Sequence, residues 1–171
     1  MKLWQKNISV DKQIETFTVG QDRELDLLLA PHDALASIAH VKMLASINLL
    51  SIEEANAIVK ELQIIYRSAI EGKFEIEPVC EDVHSQIELL LTKALGEAGK
   101  KVHSGRSRND QVLVAIKLYF RAEIETIVGL TKNVFDTLIS LSDSHKEKLM
   151  PGYTHMQVAM VSSFGLWFGA F

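Results

Sequence analysis

The sequence of 171 residues has a single cysteine, Cys80, so it forms no intrachain disulfide and no CxxC metal knuckle. That usage fits a reducing compartment, and the cytoplasm is the expected location. Prolines are also scarce: Pro31, Pro78 and Pro151 all lie between segments whose apolar residues recur at helical spacing, and no stretch alternates as a half-buried strand does. There is no basic excess. The formal net charge is −4, and no basic stripe interleaves with aromatic residues, which argues against a nucleic-acid partner. Long apolar runs are missing as well. No segment approaches the ~18 consecutive apolar residues that span a bilayer, and the opening MKLWQKNISVDKQ has no apolar signal-peptide core, so no membrane partner is expected. What is present is a globular composition, 47% hydrophobic and 23% charged, with enough apolar material for a sizeable core.

The apolar spacing predicts an all-α chain. A helix starts at Ser51, where SIEE is a capping box of Ser51 and Glu54, and runs through Ala55, Ile58, Val59, Leu62, Ile65, Tyr66 and Ala69 until Gly72 stops it. Upstream, Asp33 is placed to cap a helix over ALASIAHVKMLASINLL, which is apolar around much of its circumference and is expected to be buried on more than one side. A third helix is expected from about Glu81 to Leu95, ending at GEAG. From Val112 to about His145 near-helical spacing continues, with only Gly129 as an interior weak point, which predicts a helix of about 35 residues, about 50 Å long. Such a length belongs to a bundle or coiled coil. The pattern breaks at Pro151-Gly152, and a further apolar segment begins near Val158. The closing SSFGLWFGAF leaves large apolar residues with little chain to cover them, which suggests a fragment or a protein that relies on other subunits.

Three polar clusters carry chemistry-bearing side chains. In EDVHSQIE, Glu81 and Asp82 stand where a helix begins; they are either plain caps or groups that orient a substrate or a catalytic partner. In HSGRSRNDQV, either Asn109 or Asp110 caps the long helix with Arg106 and Arg108 in solvent, or the helix start is a carboxylate site. Gly105 and Ser107 permit close backbone approach, free N–H groups lie at the helix start, and Arg108 supplies a guanidinium fork. In PGYTHMQ, Thr154 and His155 place a hydroxyl beside an imidazole, which suits either a surface loop or proton transfer and anion binding near neutral pH. No HxH, HExxH or Cys/His set argues for a metal. Cys80 has no basic neighbours in sequence that mark a nucleophile and is taken as structural, and no role is given to His32, His40, His103 or His145.

Taken in order on a helical frame, EDVHSQIE, GKKVHSGRSRNDQV and MPGYTHMQ resemble the argininosuccinate lyase family of the aspartase and fumarase superfamily, over a stretch from about Asp26 to Phe171. The resemblance implies a small helical N-terminal domain over 1–108 and, over 109–171, the beginning of a central long-helix bundle that is truncated here. It implies a homotetramer with composite active sites, and reversible cleavage of argininosuccinate to arginine and fumarate without metal or organic cofactor. By the same resemblance Ser107, Arg108 and Asn109 bind substrate carboxylates, Thr154 adds a hydroxyl donor, and His155 acts in proton transfer. Asp82 and His84 orient the substrate and that histidine, Asp26 meets the arginine portion, and Gln157 binds substrate in a neighbouring subunit's site.

Local features differ from the family pattern, among them Met160-Val161, where the family usually continues with Gln-Pro. LWQKN, 3–7, stands where the family has WGGRF, and Asp22 stands where a substrate-contacting serine is expected. The serine-rich loop that holds the family's proposed base is expected beyond residue 171, so this piece alone is expected to be inactive. A non-catalytic assembly protein of the lens-crystallin kind, or a sibling lyase acting on another succinate adduct, remains the alternative.

Overall fold

A computed structural model describes residues 11–171 and divides the chain into two compact units, Met1–Phe120 and Arg121–Phe171. The stretch 3–7 lies outside the described residues. The first unit begins with α1 (Lys12–Val19), α2 (Asp22–Leu25) and a 3-10 turn over Asp26–Leu28, followed by α3 (Ala30–Ser46) and α4 (Ile52–Ile70). Next come α5 (Val83–Leu95), α6 (Glu97–Lys100) and a second 3-10 turn over Lys101–His103. The long helix α7 (Arg108–His145) runs through the division.

The core of the first unit lies where α3, α4 and α5 pack together. Val41, Leu44, Ile58, Leu62, Val83, Ile87 and Leu91 are fully buried there, with Phe74 and Val102 closing the edges. The capping box of α4 is present as expected: the Ser51 hydroxyl accepts from the Glu54 N–H, and the Glu54 carboxylate accepts from the Ser51 N–H, both at 3.1 Å. Gly72, at φ +67°, follows the end of that helix. α6 turns back closely upon α5: a Cβ on Gly99 would stand 2.2 Å from the Leu91 carbonyl oxygen, so no larger residue fits.

Helix α3 differs from the sequence expectation in three ways. It starts at Ala30 rather than after Asp33, because Pro31 suits the first turn of a helix. Asp33 is therefore not its cap but sits inside the first turn with its side chain buried. Only one stripe of the helix is covered, through Ala30, Ala34, Ser37, Val41 and Leu44, while Leu35 and Met43 on the other sides are exposed. The helix ends at Ser46, where Asn48 adopts a left-handed conformation, φ 60°.

The long helix has 38 residues, about 57 Å at 1.5 Å per residue, as its spacing predicts. Beyond it the second unit holds a two-stranded antiparallel hairpin, β1 (Leu149–Thr154) and β2 (Gln157–Ser163), and then α8 (Phe164–Gly169). The hairpin corrects the expectation of a purely α chain with an apolar helix from Val158. The run from Val158 to Val161 is too short for its period to separate strand from helix, and its β-branched residues favour the strand. α8 lies close upon the end of α7: the Ser142 hydroxyl donates to the Gly165 carbonyl at 2.7 Å, and a Cβ on Gly165 would stand 2.5 Å from the Lys146 Cα. The fold remains mostly helical. No helix among the described residues is long and apolar enough to cross a membrane.

Candidate active site

Asp82 is extended, at φ −152° and ψ 174°, and caps α5 by accepting the Ser85 N–H on Oδ1 at 2.7 Å. Asp26, delivered by its 3-10 turn, accepts the Val83 N–H on Oδ2 at 3.1 Å. Two carboxylates therefore occupy donors that the helix itself leaves unpaired. Burial pushes Asp26 above the ordinary carboxylate value; the Val83 N–H and His84 oppose the rise, and Asp82 and Asp22 add to it. The helix cap suggested for Asp82 by its position is real, and so is a further engagement. Arg108, the first residue of α7, donates from Nη1 to Asp82 Oδ2, to the Ser85 hydroxyl at 3.1 Å and to Glu81 at 3.4 Å.

The start of α7 lies one residue earlier than Asn109. The Ser107 carbonyl accepts from the Asp110 and Gln111 N–H groups, while the Asp110 carboxylate accepts the Ser107 N–H at 2.7 Å. Ser107 thus holds the cap position, and Asp110 completes half of a capping box from inside the first turn. Ser107 and Asn109 are exposed beside Arg108. The alternative in which Arg106 and Arg108 stay in solvent does not hold. Arg106 donates from Nη2 to the Ser37 hydroxyl at 3.0 Å, and burial lowers its pKa, with Asp33, Glu88 and Asp110 opposing. Among the described residues, the Nε atoms of both arginines and Oε1 of Gln111 are buried with no hydrogen-bond partner.

His84 is only 3% exposed, and its Nδ1 donates to Asp33 at 2.9 Å. It therefore lies behind Asp82 rather than at the surface of the cluster. Sequence reasoning read Asp33 only as a helix cap and did not single out Ser37 or Ser85, because their partners are distant in sequence or belong to another helix's cap. Cys80 is buried, and burial raises its thiol pKa, in keeping with a structural role. Among the described residues, no group of three or more His, Cys, Asp or Glu is arranged to hold a metal ion.

Thr154, His155 and Gln157 belong to the second unit, at the tip of its hairpin, and all three are exposed. Thr154 pairs with Gln157, leaving His155 and Met156 as the turn, with φ values of 50° and 62°. Two successive left-handed residues are what a two-residue type I′ turn requires. They are uncommon in residues other than glycine, asparagine and aspartate. The Thr154 hydroxyl lies 2.9 Å from His155 Nδ1, which fixes the imidazole orientation and leaves Nε2 directed away from this bond. The bulge between Gly152 and Tyr153 in the register sharpens the local twist below this tip.

The first unit thus brings Asp26, Asp82, Arg108 and their neighbours into one cluster, and the second presents the hydroxyl–imidazole pair. Residues 2–171 match the protein family described as Lyase. The chain is 58% identical over 170 residues to an argininosuccinate lyase of Parabacteroides distasonis and likewise to one of Phocaeicola vulgatus, covering 99% of this chain and 38% of each relative. An argininosuccinate lyase of Thermotoga neapolitana is 41% identical over 99% of this chain and 42% of its own length. The chain therefore spans about two fifths of the length of the curated relatives it matches. Among solved structures, an EDDS lyase variant with bound fumarate superposes with a TM-score of 0.69 at 22% identity, over 96% of this chain and 32% of that one. A fumarate lyase from a Mesorhizobium species superposes at 0.61 with 20% identity, over 97% and 38%. These structures share the mostly helical fold, and the chain belongs to the Lyase family.

Proposed function

We propose that this chain is part of an argininosuccinate lyase, which reversibly splits argininosuccinate into arginine and fumarate in the cytoplasm, as a step of arginine biosynthesis. The observation that carries the reading is the 58% identity to argininosuccinate lyases over 99% of the chain. In this reaction a base removes a proton from the carbon beside a succinate carboxylate, and the electron pair moves into that carboxylate. The pair then forms the carbon–carbon double bond as the carbon–nitrogen bond breaks, and the nitrogen leaves with its own electrons and takes up a proton. Charge grows on the carboxylate before the bond breaks, so fixed donors around it lower the barrier.

Arg108, Ser107 and Asn109 at the start of α7 are assigned to that carboxylate end. Asp82, with His84 behind it, holds Arg108 and orients the substrate. Asp26 is assigned to the cationic arginine end, where its ionised carboxylate has a matching charge. Thr154 adds a hydroxyl donor, His155 moves a proton, and Gln157 binds substrate in a neighbouring subunit's site. The abstracting base is assigned to the part of the relatives' length that this chain does not span. No metal or organic cofactor enters the scheme.

The domain division proposed is a helical domain over 1–108 and the start of a bundle over 109–171. A homotetramer is proposed, supported by apolar residues more than half exposed along α7, among them Ile124, Ile127, Leu130 and Val134. The full-length protein is tested by following fumarate release from argininosuccinate through its ultraviolet absorbance. Turnover is expected, and its absence overturns the reading. Asn109→Ala is expected to lower kcat about 10²- to 10³-fold while the oligomer stays intact, since one positioned donor to developing charge is worth that much. Near-normal turnover would return Asn109 to a solvent-facing role in the first turn of α7.

A further inference from the structure

Beneath the site runs a chain of buried polar contacts in which Asp33, Ser37 and Arg106 have no part in the proposed chemistry. Asp33, in the first turn of α3, is 0% exposed, as is Ser37 one turn later. His84 donates from Nδ1 to one oxygen of Asp33 at 2.9 Å, and the Ser37 hydroxyl faces the other at 3.5 Å. Arg106 then donates from Nη2 to the same hydroxyl at 3.0 Å. The contacts join three separate segments: α3, the first turn of α5, and the loop before α7. They span sequence separations of 51 and 69 residues.

The two ends of this chain flank the site. His84 follows Asp82 by two residues, and Arg106 precedes Arg108 by two, while Asp82 and Arg108 are themselves paired. The α5 start and the α7 start are thus tied twice, once at the surface by the site's own ion pair and once below it through Asp33 and Ser37. We propose that Asp33 and Ser37 are positioning residues, which hold the Asp82 and Arg108 segments in register through His84 and Arg106 so that the carboxylate donors stay preorganised. The proposal rests on the lyase reading for its effect on turnover, but not for its effect on the two segments.

Burial of these groups has no evident value for stability alone. Apolar residues of similar volume often replace a buried polar chain with no loss of stability, whereas removing one partner leaves the rest unsatisfied. Arg106 loses solvation in reaching Ser37, and the Asp33 charge offsets part of that loss. What the chain supplies is direction. A hydrogen-bonded link has a fixed geometry, which an apolar contact lacks, and small misplacements of catalytic groups cost large factors in rate.

The test uses the full-length protein with Ser37→Ala, which removes only the central hydroxyl, and Asp33→Asn, which keeps the shape and removes the charge. Leu62→Ala serves as a control: it is buried in the same core and takes no part in the hydrogen bonds of the polar chain. Hydrogen exchange followed by mass spectrometry reports the segments directly. Faster exchange is expected in peptides covering 82–86 and 104–110 in both polar variants, with 52–70 unchanged. Equal loosening of 52–70 would indicate general destabilisation and overturn the proposal, as would unchanged exchange at both segments.

In the activity arm, well below the melting temperature, Ser37→Ala is expected to lower kcat about tenfold to a hundredfold with KM altered less than about threefold. Leu62→Ala, though less stable, is expected to keep the wild-type kcat. Wild-type kcat in Ser37→Ala overturns the proposal even if Asp33→Asn fails to fold. Absence of turnover in the wild-type protein instead overturns the lyase reading, and the exchange result then decides the positioning role by itself.

Discussion

Asp26 stands in a position that costs the fold something. Its pKa is raised first of all by burial, so the folded chain holds this proton more tightly than the unfolded one. A carboxylate raised in this way favours the folded state below its ordinary value of 3.8 and loses that advantage as pH rises through the higher folded value. At neutral pH the ionised group therefore works against folding. Asp26→Asn keeps an acceptor for the Val83 N–H and removes the charge, so its melting temperature at neutral pH is expected to equal or exceed that of the wild type. The KM for argininosuccinate is expected to rise by about tenfold, the exchange of stability for function common at working sites. A clear fall in melting temperature together with an unchanged KM would place Asp26 among structural caps. In the sequence, Asp26 stood out only through the family resemblance; nothing local announced that it would serve a helix 57 residues away. Asp33 shows the opposite failure. Its local setting suggested a cap, and its true partner, His84, lies beyond any short-range pattern.

At the level of elements, α4 shows what local chemistry makes legible. Its cap residues, apolar stripe and glycine stop are all short-range signals, and the structure reproduces them except that Tyr66 of the expected stripe is exposed. Glu54 is held below the ordinary carboxylate value first by the Lys101 side chain and then by the Ser51 N–H. A carboxylate depressed in the folded state contributes stability above the unfolded value, here 4.5, and loses it as pH falls through the folded one. Between about pH 5 and about pH 3 the wild-type melting temperature is therefore expected to fall more steeply than that of Glu54→Gln. Parallel curves, measured by circular dichroism, would show that the capping carboxylate has no linked effect. The hairpin was illegible for a different reason. Neither His155 nor Met156 is a habitual turn former, and the apolar run after them is equally compatible with a helix. Only the pairing of β1 with β2 decides between the two.

For the whole molecule, α7 explains why so much apolar surface remains uncovered. A helix of 38 residues cannot bury its length against one small unit, so exposed side chains at helical spacing are left along it. In the proposed tetramer those side chains meet copies of themselves. Ile127, Leu130 and Val134 lie at spacings of three and four, which puts them on one face. Replacing Ile127 and Val134 together by glutamate is expected to convert the full-length tetramer into smaller species by light scattering, with helical circular dichroism retained. A tetramer that survives both charges would direct the search for the interface to another surface. This feature was legible early because a sustained helical period needs no tertiary knowledge. The mostly helical character, the long helix and the three polar clusters followed from periodicity and motif, and the bundle architecture from the family resemblance. The links among them did not, since they depend on chain segments far apart in sequence.

The turn at His155 and Met156 has a bearing on chain length itself. Two residues with left-handed backbone leave no slack between Thr154 and Gln157, which pair directly across the ladder. Adding or removing one residue there would shift the strand register by one and send each following side chain to the opposite face. Helix ends and surface loops absorb such changes in length more readily than a two-residue turn between directly paired residues does. Chain length at this tip therefore sets which face of the hairpin each residue of β2 occupies.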